Sequence, residues 1–279
     1  MTDIRLIAFD LDDTLLNSQK ELSPVNAAAL ARAAAFGVEL VPATGRFFRS
    51  MPEAVRGLPF LRYVIAVNGA QVYDVREGAA IARAEMPLAL ALEIMTYLDD
   101  LPVIYDCFAD GWGWMSRAHQ DRAEEFSSNE HYARMLRDFR TPVDDLKAFL
   151  RAKGGGVQKV QLFTRNMDLH GELLRGLEGR FPRTAVSSSI VNNVEINDAR
   201  ATKGTALRSL AAHLGVPLSR TLAFGDGLND LSMIRAAGVG VAMGNARPEV
   251  RDAADFVTLT CDEDGVAAGI ERFCPAQGA

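Results

Sequence analysis

Leu6-Ile-Ala-Phe-Asp-Leu-Asp-Asp-Thr-Leu-Leu16 is the stretch whose reading decides the fold. Its apolar run, Leu6 to Phe9, has the length and flanks of a strand buried on both faces in a parallel sheet. The run stops at the carboxylates Asp10, Asp12 and Asp13, followed by Thr14. In an open α/β sheet, ligands bind in the crevice outside the carboxyl ends of the strands. Asp10 and Asp12 can both turn into such a crevice. Negative charges packed there are costly unless a cation joins them, and a hard divalent ion with oxygen ligands is the natural candidate. Taken alone, the same residues also suit a solvated acidic turn.

Working outward, Ser23-Pro24 starts a predicted Ala-rich helix that Gly37 stops. Val38 to Pro42 reads as a second strand, ending in Ala43-Thr44-Gly45-Arg46, and a helix is expected from Arg46 to about Val55. Tyr63 to Val67 is a third strand, ending in Asn68-Gly69. Strands alternating with helices predict a doubly wound parallel sheet with right-handed crossovers. From residue 83 the pattern changes. A helix over Pro87 to Asp100 precedes a hairpin, Val103–Phe108 with Trp112–Met115, around Asp110-Gly111. A polar helical region over His119–Phe139, a helix from Pro142 to Lys153 and a strand from Val157 to Thr164 follow. A helix from Asp168 to Phe181 and strands near Thr184–Ser188 and Val194–Ile196 complete an expected small α/β domain with a mainly antiparallel sheet. The first pattern then returns, with Thr202 capping a helix that carries Lys203 and a strand, Leu222–Gly225, running into Asp226-Gly-Leu-Asn229-Asp230. Cys274 to Ala279 reads as a frayed tail.

The bulk properties exclude several classes. At 279 residues, one large domain or two smaller ones is expected, and 48% hydrophobic with 24% charged residues is ordinary globular composition. A net charge of −6 speaks against a nucleic-acid or anionic-membrane surface. Cys107, Cys261 and Cys274 have no pairing or zinc-like spacing, which suits a reducing cytoplasm. No leader and no membrane-length apolar stretch are apparent, so a cytoplasmic protein is expected, with no membrane partner.

Four strand or helix ends therefore carry chemistry: Asp10 with Asp12, Thr44 with Gly45, the Lys203 helix start, and Asp226 with Asn229 and Asp230. Together they imply phosphoryl transfer through an aspartyl phosphate. Mg2+ would be held by Asp10, Asp226 and the backbone carbonyl of Asp12, Lys203 would neutralise phosphate charge, and Thr44 and the Gly45 amide at a helix start would donate to phosphate. Arg46 either binds substrate or forms a salt bridge near this loop. Asn68 lies at the rim of the expected crevice, in what also reads as a simple strand-ending turn.

Over essentially its whole length the chain resembles the haloacid dehalogenase-like (HAD) hydrolase superfamily, and more narrowly its Cof-type branch. The carrying motifs occur in order: Asp10-Leu-Asp-Asp-Thr-Leu-Leu16, Ala43-Thr-Gly-Arg46, Ala201-Thr-Lys-Gly204, Gly225-Asp-Gly-Leu-Asn-Asp230 and Val241-Ala-Met-Gly-Asn-Ala246. The resemblance implies a Rossmann-like core at 1–82 and 190–279, with an inserted α/β cap of type C2B at 83–189 that selects the substrate. It implies Asp10 as nucleophile, Asp12 as acid and base, and Leu11 (through its amide), Thr44, Gly45, Lys203 and Asn229 as phosphate contacts. Asp226 would bind the metal, with Asp230 orienting from behind through water or Lys203. Many relatives have Gly where Asp13 stands. The expectation is a Mg2+-dependent phosphatase, a monomer or homodimer, acting on a small phosphomonoester such as a sugar phosphate or phosphorylated cofactor. The alternatives are a phosphomutase or other phosphotransferase, and a non-catalytic phosphometabolite sensor, which the intact Asp10/Asp12/Lys203/Asp226 set disfavours.

Overall fold

A computed structural model of the chain describes residues 3–274. Fourteen strands run along it: β1 (Leu6–Phe9), β2 (Glu39–Pro42), β3 (Tyr63–Ala66), β4 (Gln71–Asp74), β5 (Ala79–Arg83), β6 (Val103–Ala109), β7 (Trp112–Ser116), β8 (Thr141–Val143), β9 (Lys159–Thr164), β10 (Thr184–Ser187), β11 (Asn193–Asp198), β12 (Thr221–Gly225), β13 (Val239–Ala242) and β14 (Phe256–Val257). They divide between two compact units, Met1–Arg83 with Thr202–Ala279, and Ala84–Ala201.

In the first unit the order is β14-β13-β12-β1-β2, parallel throughout. The parallel bridge Ala43–Ile65 sets β3 beside the end of β2. Every residue of β1 and β12 is buried, because helices cover both faces of a parallel sheet. Leu6, Ala8, Val41 and Ala223 meet Ala206, Leu207 and Leu210 of the helix Lys203–His213 in one core. The antiparallel hairpins through β4 and β5, not expected from the sequence, extend β3. Among the described residues no helix is long and apolar enough to cross a membrane.

The second unit is a six-stranded sheet ordered β10-β11-β9-β6-β7-β8, antiparallel except for β7 with β8. Alternation gives it two chemically different faces. Val103, Tyr105, Cys107, Val160, Leu162, Val194 and Ile196 pack against the helices Leu88–Asp99 and Met167–Arg180. The intervening residues include Asp106, Lys159 and Glu195, all buried and charged. Asp106 accepts from Arg140 Nε at 2.8 Å, and Glu195 accepts from Lys159 Nζ at 2.7 Å. Both cations lie over the Phe108 ring, at 4.5 and 4.4 Å from its centroid.

Several expected boundaries move, each for a local reason. The second unit runs past the expected boundary at residue 190: β11 pairs with β9 and β10, so residues up to Ala201 belong to it. The helix expected from Pro142 starts at Leu146, after Asp145 accepts from the Ala148 amide as its cap. Thr141–Val143 instead forms β8 at the sheet edge, where a proline costs no ladder bond. The helix expected from Arg46 to Val55 is two short pieces, Phe48–Ser50 and Glu53–Arg56, because Met51 precedes Pro52 and is held extended. The polar region His119–Phe139 breaks into Arg117–Gln120, Ala123–Phe126 and Glu130–Asp138. A short helix, Pro248–Ala253, has no counterpart among the expected elements. The tail expected from Cys274 to Ala279 lies, beyond Cys274, outside the described residues.

A buried ion pair is expensive to break by halves. Arg140→Met, which leaves the Asp106 carboxylate buried without its guanidinium, is expected to destabilise the protein by roughly 3–5 kcal/mol in a urea titration. The double variant Asp106→Leu/Arg140→Met should recover most of that loss.

Candidate active site

The site begins where the parallel strands of the first unit end. Asp10 continues the β1 ladder by one bond, its amide donating to the Phe224 carbonyl at 3.0 Å. Lys203 opens the helix Lys203–His213, which Thr202 caps by accepting from the Thr205 amide. Gly69, at φ +96°, lets the turn after β3 press on that cap: an added Cβ would lie 2.2 Å from the Thr202 carbonyl oxygen. Gly204 does the same on the helix's other side, where a Cβ would lie 2.2 Å from the Ser232 carbonyl oxygen.

These approaches place a fully buried lysine between two carboxylates. Lys203 Nζ donates to Asp10 Oδ1 and to Asp230 Oδ1, each at 2.6 Å. Asp230 Oδ2 accepts from the Asp226 and Gly227 amides, both at 2.9 Å, and so shapes the turn that presents Asp226. Asp226 Oδ1 in turn accepts from Thr14 Oγ1 at 2.8 Å. Oxygens of Asp10, Asp226 and Asp230 all lie within 4.8 Å of one another.

Charge at this cluster is unbalanced. Burial pushes the Asp10 carboxyl up, Lys203 opposes it, and Asp230 and Asp12 add to the rise, leaving it at about 7. Asp226 is pushed to about 9 by burial, then by Asp230 and Asp10, with Thr14 opposing. Lys203 is disfavoured by burial, yet Asp10 and Asp230 outweigh this and hold it above its ordinary value. One ammonium among three close carboxylates is too little positive charge. Asp10 and Asp226 each use one oxygen in the contacts above, whereas both Asp230 oxygens are engaged. Such a donor set fits a hard divalent cation bound by oxygen.

Asp12 stands apart from this cluster. Arg46 grips it with a fork, Nε to Oδ2 and Nη2 to Oδ1, both at 2.8 Å. Burial raises the Asp12 carboxyl, but the Arg46 charge and hydrogen bonds, followed by Lys20, bring it below its usual value. Thr44, buried at the end of β2, takes the Arg46 amide on its hydroxyl at 3.2 Å and the Asn68 amide on its carbonyl at 3.0 Å. Gly45 does not open a helix; the next regular element is the single turn Phe48–Ser50. Leu11 is buried, and its carbonyl accepts from the Leu16 amide at 2.8 Å. Asn68 is more than a strand-ending turn residue. Buried and left-handed at φ 57°, it accepts from Asn229 Nδ2 at 3.2 Å and so ties two of the loops together.

Sequence reasoning assigned no role to Thr14, Lys20 or Asn245. Thr14 and Asn245 lie within quoted motifs; Lys20 carries no local signal. Asp13 is left-handed at φ 63°, a conformation aspartate tolerates and glycine adopts freely. Lys20 Nζ meets Asp13 Oδ1 at 2.7 Å, and Asn245 Nδ2 donates to the Asp13 carbonyl at 2.8 Å.

Known proteins resemble this chain over nearly its whole length. The family model described as haloacid dehalogenase-like hydrolase matches residues 7–270. The chain is similar to phosphatase YwpJ of Bacillus subtilis (strain 168), at 33% identity over 95% of this chain and 98% of that one. It is 29% identical to 5-amino-6-(5-phospho-D-ribitylamino)uracil phosphatase YcsE of the same organism, over 97% and 96% of the two chains. Among solved structures, a haloacid dehalogenase-like hydrolase from B. subtilis superposes with a TM-score of 0.82 at 30% identity, covering 97% of this chain and 100% of that one.

Gly204→Ala tests the close approach that seats Lys203. The methyl group would meet backbone rather than a movable side chain, so the variant is expected to lose about 1–3 kcal/mol of stability, read by thermal unfolding.

Proposed function

The chain belongs to the haloacid dehalogenase-like hydrolases, and from that premise we propose that it is a Mg2+-dependent phosphatase of small phosphomonoesters working through an aspartyl phosphate. The observation that carries this reading is the buried Lys203 bridging Asp10 and Asp230 with Asp226 alongside. Asp10, Asp226 and the Asp12 backbone carbonyl would hold the metal, with Asp230 orienting Lys203 and the Asp226 turn. When bound, Mg2+ supplies positive charge against the phosphoryl oxygens and relieves the carboxylate crowding.

The chain's own groups account for the bond changes. An Asp10 oxygen attacks phosphorus; the bond from phosphorus to the ester oxygen breaks, and that oxygen takes a proton from Asp12, which has received it from the ester's monoanion against the pull of Arg46. Asp12, now ionised, takes a proton from a water molecule as its oxygen attacks phosphorus and the bond to Asp10 breaks. Ester and water thus become alcohol and inorganic phosphate, with both aspartates restored. Lys203 keeps its charge throughout, balancing the phosphoryl oxygens, and Thr44, the Leu11 and Gly45 amides and Asn229 donate to them.

Selection of the alcohol falls to the inserted unit, whose sequence is separate from these motifs. The name of the YcsE relative supports a small phosphorylated metabolite, with a sugar phosphate or phosphorylated cofactor as the class to try first. The free thiols of Cys107, Cys261 and Cys274 support a reducing, cytoplasmic setting.

The deciding experiment is phosphate release from a panel of sugar phosphates, nucleotides and phosphorylated cofactors, with Mg2+ and with chelator. Release that the chelator abolishes is expected for one or a few small esters. Release of none, from folded and metal-loaded protein, would shift the reading to phosphoryl transfer onto an acceptor sugar or to phosphometabolite sensing. Asp10→Asn should lower kcat by about a thousandfold or more while circular dichroism stays that of the parent.

A further inference from the structure

We propose that Arg46 is a positioning residue for proton transfer by Asp12, rather than a ligand of the substrate phosphate; this rests on the phosphatase reading above. Three of its donor atoms have assigned partners. Nε and Nη2 take one Asp12 oxygen each at 2.8 Å, and Nη1 donates to the Ser50 carbonyl at 3.2 Å. The backbone on both sides is also held, by the bond from the Arg46 amide to Thr44 Oγ1 and by the Val67 amide donating to the Arg46 carbonyl at 3.0 Å. Turning the guanidinium toward a phosphate would break the Asp12 fork and the Ser50 bond together.

What the fork supplies is a fixed carboxylate plane. The torsion that sets an aspartate's carboxylate is broad, so an unbound Asp12 would sample many orientations. A two-point bond from a rigid planar fork removes that freedom, and each carboxylate oxygen keeps a second lone pair for a transferred proton. Lys20 cannot substitute. Its Nζ is 3.9 Å from Asp12 but 2.7 Å from Asp13 Oδ1, and an ammonium is a point charge without a fork.

The surrounding loop does not depend on this bond. Asp13 is held by Lys20 and Asn245, and the Leu15 and Leu16 amides close back on the Asp10 and Leu11 carbonyls. Removing the fork is therefore a change in Asp12's orientation, not in the path of the chain. The Arg46 side chain is 16% exposed and that of Asp12 33%, so the fork is partly shielded from competing water.

The test uses Mg2+-loaded Arg46→Met and Arg46→Lys with two esters. One is a small alkyl phosphate that the parent hydrolyses; the other is 4-nitrophenyl phosphate, whose phenolate departs without a proton. Both variants should lose about 100-fold in kcat on the alkyl ester with KM little changed. On 4-nitrophenyl phosphate each should keep a rapid burst of one phenolate per site, followed by slowed turnover, because attack by Asp10 needs no acid but hydrolysis of the aspartyl phosphate needs a base. A raised KM with unchanged kcat on both esters would make Arg46 a phosphate ligand and overturn the proposal. So would loss of the burst along with turnover, or full activity in Arg46→Lys, in which a single cation would have sufficed. A parent enzyme that releases phosphate from no ester of the panel, so that no such alkyl phosphate exists, would overturn the phosphatase reading itself, and this proposal with it.

Discussion

Everything at the site depends on one charge held where water cannot reach it. An ammonium without solvent is tolerable only if carboxylates replace its hydration, and Lys203 has two, Asp10 and Asp230, at 2.6 Å. That requirement reaches back into the fold. Asp10 must leave β1 beside β12, the helix of Lys203 must start within contact of the turn after β3, and Asp230 must fold back on the β12 turn with its second oxygen on two amides. Parallel strands deliver these pieces to one end of the sheet. The glycines at 69 and 204 let backbone approach the helix start more closely than any side chain would allow.

The same cluster is deliberately short of positive charge. Two carboxylates could be balanced by one lysine and a few amides, but Asp226 brings a third into the same volume. Without a cation the strain falls on Asp226 and Asp10, whose protons are held far above the ordinary carboxylate range. A site built for stability alone would have dropped one acid. Keeping it makes sense where a divalent ion and a charged phosphoryl group must both be held and then released.

The strand and helix ends that meet at the site were legible because their residues sit at the ends of short apolar runs, where a strand must stop and a polar group needs a reason. Leu6–Phe9 before Asp10 and Leu222–Gly225 before Asp226 are of this kind, and so is Thr202 capping Lys203. What could not be read were the features decided by distant partners. Nothing near Arg46 says that its fork closes on Asp12, 34 residues earlier, or that Asn68 meets Asn229. Pro142 and Val143 look helical until β7 is there to pair with them, and nothing local says that the inserted unit runs on past residue 190 until β9 takes β11. Only Pro52 carried a local warning, since the residue before a proline resists a helix.

Asp13 illustrates how a residue with a side chain is held in a left-handed position. A left-handed residue directly after the Asp10/Asp12 pair lets the chain turn away while Asp12 faces Arg46. Glycine meets that demand through the absence of a Cβ. Aspartate meets it at a conformational cost, and here it also acquires Lys20 on its carboxylate and Asn245 on its carbonyl. Asn245 is itself anchored, accepting from the Cys261 amide at 2.9 Å, so the turn is tied to the far end of the chain. An aspartate here therefore trades the backbone freedom of a glycine for side-chain restraint. The restraint falls on the residue next to Asp12, whose orientation the proposed chemistry can least afford to leave loose.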